Sequence, residues 1–327
     1  MAVVGGRLAN ELVDVTTDLA ALESSGFWAV VITFEGAPVC GRFACVRPAP
    51  AGRDGTGWEG PCPAAWRTSI DATRFATSVD AIRAAIADGD VYQVNLTRRL
   101  SAPVDGDADV AALGAHLAAT HPAPHAAVVR LPGTSVASAS PERFLRRDGA
   151  LVESRPIKGT AADARRFLAK DRAENVMIVD LVRNDLGRVC DYASVEVPAL
   201  CRPEEHPGLV HLVSTVRGRL RRGVGWPELI DATFPPGSVT GAPKLAALEM
   251  IHRLEPVERG PYCGAVGWVD ADAGCGDLAV AIRTFWLDGG MVHFGTGGAV
   301  TWDSTPDGEW AETELKASRL IGLASRP

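Results

Sequence analysis

Three strand-like segments follow one another near the C-terminal end, Gly264–Val269, Asp277–Leu287 and Met291–Thr296, with no helix between them. The same habit runs through the chain. Trp28–Phe34 (WAVVITF) is β-branched and apolar and reads as a buried strand. A strand from Val91 sets Tyr92, Val94 and Leu96 in alternation with Gln93, Asn95 and Thr97, one face apolar and one polar. Ala126–Arg130 and Ser135–Ser138 read as short strands, and Val210–Val216 as another. Phe144–Arg147 and Leu151–Ser154 flank Asp148-Gly149, a hairpin signal. Helices fall between these runs: Thr77–Asp88 closed by Gly89, Lys170–Leu186 ended by Gly187, Trp226–Thr233, Pro243–Leu254 with proline in its first turn, and Glu309–Leu323. Strands in runs with helices between the runs favour an α+β fold with large antiparallel or mixed sheets, layered as a sandwich with helices outside, over strict β-α alternation.

Neither an internal repeat nor a long linker interrupts this pattern. The Gly- and Pro-rich stretch Arg47–Pro63 reads as a loop. With 327 residues, 46% of them hydrophobic, the chain can bury a substantial core. We expect a short N-terminal region over residues 1–70 packed on a catalytic domain over residues 71–327. The net charge of −7 and the lack of a basic stripe argue against a nucleic-acid partner. Seven cysteines without a C-x-x-C pair argue against a disulfide framework or a cysteine zinc site. No signal-like start and no apolar run of about 18 residues stand out, so the expectation is a cytoplasmic protein without a membrane partner.

Several residues carry possible chemistry. Asp171 and Glu174 lie three apart on one predicted helix, and Glu309 and Glu312 three apart on another. Such spacing puts each pair on one helix face. Four oxygen donors suit a hard cation such as Mg²⁺, which keeps waters and part of its substrate as further ligands. The plain alternative is helix solvation, with acids in a first turn and Glu312 paired to Lys316. Gly295-Thr296-Gly297-Gly298 reads either as an anion-holding loop or as a tight turn. The run from Gly237 to Lys244 looks like a P-loop but fails its pattern, and offers only N–H groups at a helix start. Arg283 in an apolar strand needs either a substrate carboxylate or a structural ion pair. Lys158, in Pro156-Ile157-Lys158-Gly159-Thr160, is either a desolvated amine or a solvated lysine. His211 is either a proton donor or a core histidine.

Read in order, these runs resemble the chorismate-utilising enzymes, the group of anthranilate, aminodeoxychorismate, isochorismate and salicylate synthases. The resemblance covers about Phe75 to Leu323. It is carried by Gly89–Thr97, Ser140-Pro141-Glu142-Arg143-Phe144, Arg155–Thr160, Lys170–Asn175, Val179–Gly187, His211-Leu212-Val213-Ser214, Gly237–Lys244, Arg259-Gly260-Pro261-Tyr262 and Gly295–Gly298. Members that add water to chorismate carry a base lysine where this chain has Gln93. Anthranilate synthases usually have Ala where this chain has Lys158, which resembles the aminodeoxychorismate branch.

The resemblance implies a chorismate-binding fold and a role for each residue. Glu174 and Glu312 match Mg²⁺ ligands, with Asp171 and Glu309 holding metal waters. Tyr262, Arg283 and Gly295, Thr296, Gly297 and Gly298 match the site for the enolpyruvyl carboxylate, and Ser238 and Thr240 join the substrate-binding set. Glu142 matches the general acid for the C4 hydroxyl, and His211 a substrate-proximal histidine. Lys158 would attack C2 of chorismate, and ammonia would then add at C4 and expel it. The sequence has no Gly-x-Cys-x-Gly turn, so the implied ammonia source is a glutamine amidotransferase subunit or free ammonium. The runner-up expectation is an anthranilate-type or aminodeoxyisochorismate-type synthase, which Lys158 disfavours. The alternative of another class is a non-catalytic chorismate-binding subunit, and the intact set Glu142, Lys158, Glu174 and Glu312 speaks against it.

Overall fold

The computed structural model describes residues 1–50, 57–106, 108–161, 163, 165, 167–206 and 209–326. Its first strands are β1 (Ala2–Val4), β2 (Arg7–Thr16), β3 (Phe27–Ile32) and β4 (Pro38–Pro48). The short β5 (Arg67–Thr68) leads to helix α1 (Ala72–Asp88), then β6 (Gln93–Pro103) and α2 (Val110–Thr120). A run of strands follows: β7 (His125–Leu131), β8 (Thr134–Ser140), β9 (Arg143–Asp148), β10 (Leu151–Arg155) and β11 (Ile157–Ala161). Next come α3 (Ala169–Gly187), β12 (Glu196–His206), β13 (Leu209–Arg219), α4 (Trp226–Thr233), the short β14 (Gly241–Ala242) and α5 (Lys244–Leu254). The chain closes with β15 (Ala265–Asp270), β16 (Cys275–Val280), β17 (Thr284–Asp288), β18 (Met291–Val300) and α6 (Pro306–Ala324).

Hydrogen bonding links these eighteen described strands into one continuous sheet, every recorded pairing antiparallel. From β12 at one edge the order runs β12, β13, β10, β9, β16, β15, β3, β4, β2, with β11 also paired to β13. It continues β1, β7, β8, β17, β18, β6. The sheet folds back so that β3 and β15 lie against β7. Being covered on both faces, β3 has every residue buried, which is why FWAVVI reads as a continuous apolar run. Helices α3 and α6 pack outside, α3 on β11 and β13, α6 on β18. The expected α+β class, with a large antiparallel sheet and flanking helices, is the one observed. Strands β1–β4 pair directly with β7 and β15, inside the same sheet. No described helix is long and apolar enough to cross a membrane.

Several boundaries differ from expectation for identifiable reasons. Helix α1 starts at Ala72, because the Asp71 side chain accepts the Arg74 N–H at 2.8 Å and caps it there. The apolar stretch Asp277–Leu287 is two strands, not one. It breaks at Ala281–Arg283, where Arg283 takes φ of 52° as the chain passes from β16, beside β15, to β17, beside β8. The Gly295–Gly298 run is neither loop nor turn, since β18 continues to Val300 with β6 paired along all of it. The polar face of β6 is not solvated: Gln93, Asn95 and Thr97 are as buried as Val94 and Leu96. Arg47 and Pro48 of the expected loop belong to β4, and residues 51–56 lie outside those described.

Candidate active site

Glu142 lies where the chain crosses from one part of the sheet to another, between β8 and β9. The turn is tied to the end of β16. Ser140 Oγ donates to the Val280 carbonyl at 2.6 Å, Val280 N–H donates to the Glu142 carbonyl at 3.0 Å, and Glu142 N–H donates to Ser140 Oγ at 3.2 Å. The Glu142 side chain is thereby held in the interior, 4% exposed. Burial lifts its carboxyl to about 7, against the opposing pull of the Ser238 hydroxyl, the Lys158 charge and the Ile157 N–H. A carboxylic acid that keeps its proton near neutrality is fitted to donate it.

Lys158 occupies an irregular stretch of β11. The pairing with β13 shifts register between Ile157 and Thr160, and Gly159 inside the shift has φ of +84°. An extra residue in a strand bends it and re-aims its side chains. Here the lysine comes under the charges of Glu174, Glu142 and Glu312. Burial lowers the Lys158 pKa even against these carboxylates. Thr160 and His211 pair across the strands, with Thr160 Oγ1 2.9 Å from His211 Nδ1, and His211 is buried.

The carboxylates come from the two outer helices. Asn175, 1% exposed, fixes α3 on the sheet: its Nδ2 donates to the Leu212 carbonyl at 2.9 Å and its Oδ1 accepts from Ser214 Oγ. Glu174, the preceding residue, is half-buried and raised, by burial first and then by Asp171 and Glu312. Asp171 is partly committed, since its Oδ2 accepts the Leu168 N–H at 2.8 Å and closes the start of α3. On α6, Glu309 Oε1 accepts from Ser304 Oγ at 2.6 Å, while its Oε2 is buried and accepts no hydrogen bond from the described residues. Burial raises Glu309. Burial, the largest single influence, pushes Glu312 up too, but Lys316, 2.6 Å from its Oε1, together with Lys170 and Lys158 brings it down on balance.

Among the described residues no group of three or more acidic, His or Cys side chains closes into a metal cluster by itself. The donor set still fits a cation that keeps waters or a substrate carboxylate as ligands. It offers an orphaned buried oxygen on Glu309, two further carboxylates within electrostatic reach of one another, and Gly298 beside both α6 acids. A side chain at Gly298 would start 3.0 Å from Glu309 Oε2.

The sequence pattern of the chorismate binding enzyme family matches residues 58–322. The chain belongs to that family. It is 47% identical over 262 residues to an aminodeoxychorismate synthase of Streptomyces pristinaespiralis, covering 76% of this chain and 36% of that one. It is 40% identical over 297 residues to an anthranilate synthase component 1 of Streptomyces coelicolor, covering 85% and 58%. The chain thus spans between about a third and three fifths of these relatives' lengths. A solved anthranilate synthase component I from Streptococcus pneumoniae shares the fold, with a TM-score of 0.84 at 23% identity over 96% of this chain and 91% of that one.

Other residues expected in this family's site take varied places. Ser238 is buried and bonds Glu142, so it joins the acid. Thr240 Oγ1 lies 3.3 Å from the Pro236 and Gly237 carbonyls and serves its own turn. Thr296 Oγ1 donates to the Thr313 carbonyl at 2.9 Å and grips α6. Tyr262 is buried with its ring against Gly295, where any Cβ would land inside the ring. Gly295→Ala should therefore cost at least about 2 kcal/mol in a urea melt; an unchanged midpoint would show that the ring moves freely. Arg283 stands apart from the carboxylate group. Its carbonyl accepts the Ala139 N–H at 3.0 Å, its charge bears on His121, and no carboxylate pairs with it among the described residues. Reading the sequence overlooked the cross-strand grip on α6 by Arg98 and Thr296, and the buttress of Asn175. No local pattern reveals either, because their partners lie 215, 17 and 39 residues away.

Proposed function

We propose that this chain is the aminating component of an aminodeoxychorismate synthase, turning chorismate and ammonia into 4-amino-4-deoxychorismate. The observation that carries this reading is Lys158, set on a strand irregularity among Glu142, Glu174 and Glu312. A lysine with a lowered pKa gives up its proton more readily, which frees the amine to act as a nucleophile. In this account its Nζ forms a bond to C2 of chorismate. Both ring double bonds shift, C1=C2 to C1=C6 and C5=C6 to C4=C5, and the C4–O bond breaks, with the Glu142 proton leaving on that oxygen as water. Ammonia then bonds to C4, both double bonds return to their original places, and the C2–N bond to Lys158 breaks. The surplus proton on the new amine goes back to the Glu142 carboxylate, so acid and lysine are both restored.

Glu174 and Glu312 would hold Mg²⁺, with Glu309 and Asp171 on its waters. The ion would neutralise the ring carboxylate and the charge that builds as hydroxide departs. Beyond Phe294, β18 has lost β17 as a partner, so one strand edge from Gly295 onward can turn N–H groups toward the enolpyruvyl carboxylate, beside Tyr262. Ammonia would come from a glutamine amidotransferase partner; relatives at 38% and 39% identity are named component 1. A second reading, an anthranilate-forming enzyme, is favoured by the longer match of 297 residues.

The reading expects chorismate to be consumed with ammonium and Mg²⁺ alone, without glutamine. EDTA should stop that consumption and added Mg²⁺ restore it, followed by the loss of chorismate on a chromatogram. Consumption that continues unchanged in EDTA would remove the cation from the account.

A further inference from the structure

The acids on α6 can serve a cation only if the helix keeps its rotation and height over the sheet, and one buried arginine is placed to set both. Arg98 on β6 is 4% exposed. Its guanidinium lies over the Trp310 ring, 4.2 Å from the centroid. Its Nε donates to Thr313 Oγ1 at 2.9 Å, and its Nη2 bonds Glu314. These three contacts fall at positions i, i+3 and i+4 of one helix, and they bracket Glu312. Directly across the strand pair, Thr296 faces Arg98 and donates to the Thr313 carbonyl. Two residues further along the same face of β18, Gly298 lies beside Glu309 and Glu312. One strand face thus holds the helix at Thr313 and leaves space for Glu312, the residue before it, and Glu309, one turn earlier.

We propose that Arg98 is a positioning residue, which together with Thr296 fixes α6 so that Glu309 and Glu312 are presented to the cation. Buried guanidinium groups are costly to strip of water. Most of what surrounds this one, two threonine hydroxyls, an indole face and one half-exposed carboxylate, serves to orient it. A planar fork over a ring restrains a helix about its own axis, which a point charge such as lysine does not. The inference rests on the reading of Glu309 and Glu312 as cation-holding residues.

The test is Mn²⁺ binding to the full chain, read by the loss of the free-ion electron paramagnetic resonance signal at a temperature where each variant is folded by circular dichroism. Removing a group that orients metal ligands typically weakens affinity 10- to 100-fold. Arg98→Met should weaken Mn²⁺ binding by about tenfold or more. Arg98→Lys, which keeps the charge and loses the fork, should fall between that variant and the unmodified chain. Thr296→Val, which removes only one hydroxyl, should weaken binding by roughly threefold, and it carries the test if Arg98→Met does not fold. A structural role alone would lower the melting temperature and leave Mn²⁺ affinity of the folded protein in place. Binding within twofold of the unmodified chain in Thr296→Val and in every folded Arg98 variant would overturn the proposal. If the unmodified chain itself does not take up Mn²⁺, the cation reading fails first and the proposal falls with it.

Discussion

Lys158→Ala is expected to lower the rate of chorismate amination by on the order of 10³-fold while the protein stays folded. The lysine sits on an irregular strand position and is half-buried, so losing its side chain removes little packing. What it removes is an amine that feels the charges of Glu174, Glu142 and Glu312 together. Lys158→Arg separates two ways in which the residue could act. Arginine keeps a positive charge among the three carboxylates but does not offer a neutral nitrogen at working pH. If the lysine acts as a nucleophile, the arginine variant is as inactive as the alanine variant, and the wild-type chain yields a mass adduct on Lys158 when quenched during turnover. An arginine variant with more than a tenth of the original rate, and no adduct, would reduce the lysine to an electrostatic role. The pH dependence should follow the same logic. Attack needs Lys158 neutral, so rate climbs as pH rises through its lowered pKa. Proton donation needs Glu142 protonated, so rate falls as pH rises through about 7.

Glu142→Gln should produce two opposite effects in one variant. Losing the acid is expected to cost activity by about 10²- to 10⁴-fold. Stability should move the other way at high pH. The carboxyl titrates near 7 in the folded chain and near 4.5 in the unfolded one. Below pH 4.5 both states hold the proton and Glu142 costs nothing. Between those values the folded chain keeps a proton that the unfolded chain has released, so stability declines as pH rises through this window. Above pH 7 the full cost applies, about 3 kcal/mol at most. Glutamine carries no charge and can still accept from Ser238 and the Ile157 N–H. At pH 8.5 the variant should therefore melt roughly 5 °C above the unmodified chain, and at pH 4 not above it. Equal melting temperatures at pH 8.5 would mean that the carboxyl is not held at a cost.

The sequence made local features legible and left long-range ones hidden. The hairpin expected around Asp148-Gly149 is present, with Asp148 paired to Leu151 and Gly149, at φ of +57°, and Ala150 as its two turn residues, because so short a turn is specified by its own residues. Helix α4 runs from Trp226 to Thr233 as expected, with its apolar residues buried on one side. The paired acids at three-residue spacing lie on helices, as the pattern requires. Partners far along the chain decided the rest. Gly295–Gly298 has poor strand propensity, yet β6 pairs with it residue for residue. Arg283 sits in an apolar run that reads as one strand, but the two halves of that run bond different neighbours and the backbone turns between them. Gln93, Asn95 and Thr97 alternate like a solvated face and are buried; the Asn95 amide donates to the Ser238 carbonyl, and the Asn95 and Thr97 backbone N–H groups donate to Thr240 and Glu255. The irregularity that aims Lys158 is likewise a property of the β11–β13 register, invisible in Pro-Ile-Lys-Gly-Thr itself.

The central claim is amination at C4 without loss of the enolpyruvyl group. It is tested most directly by incubating the chain with chorismate, Mg²⁺ and ¹⁵N-ammonium and identifying the product by mass spectrometry and NMR. The expected product is 4-amino-4-deoxychorismate, with ¹⁵N on C4, the enolpyruvyl ether intact and no pyruvate released. Anthranilate accompanied by an equal amount of pyruvate would contradict it.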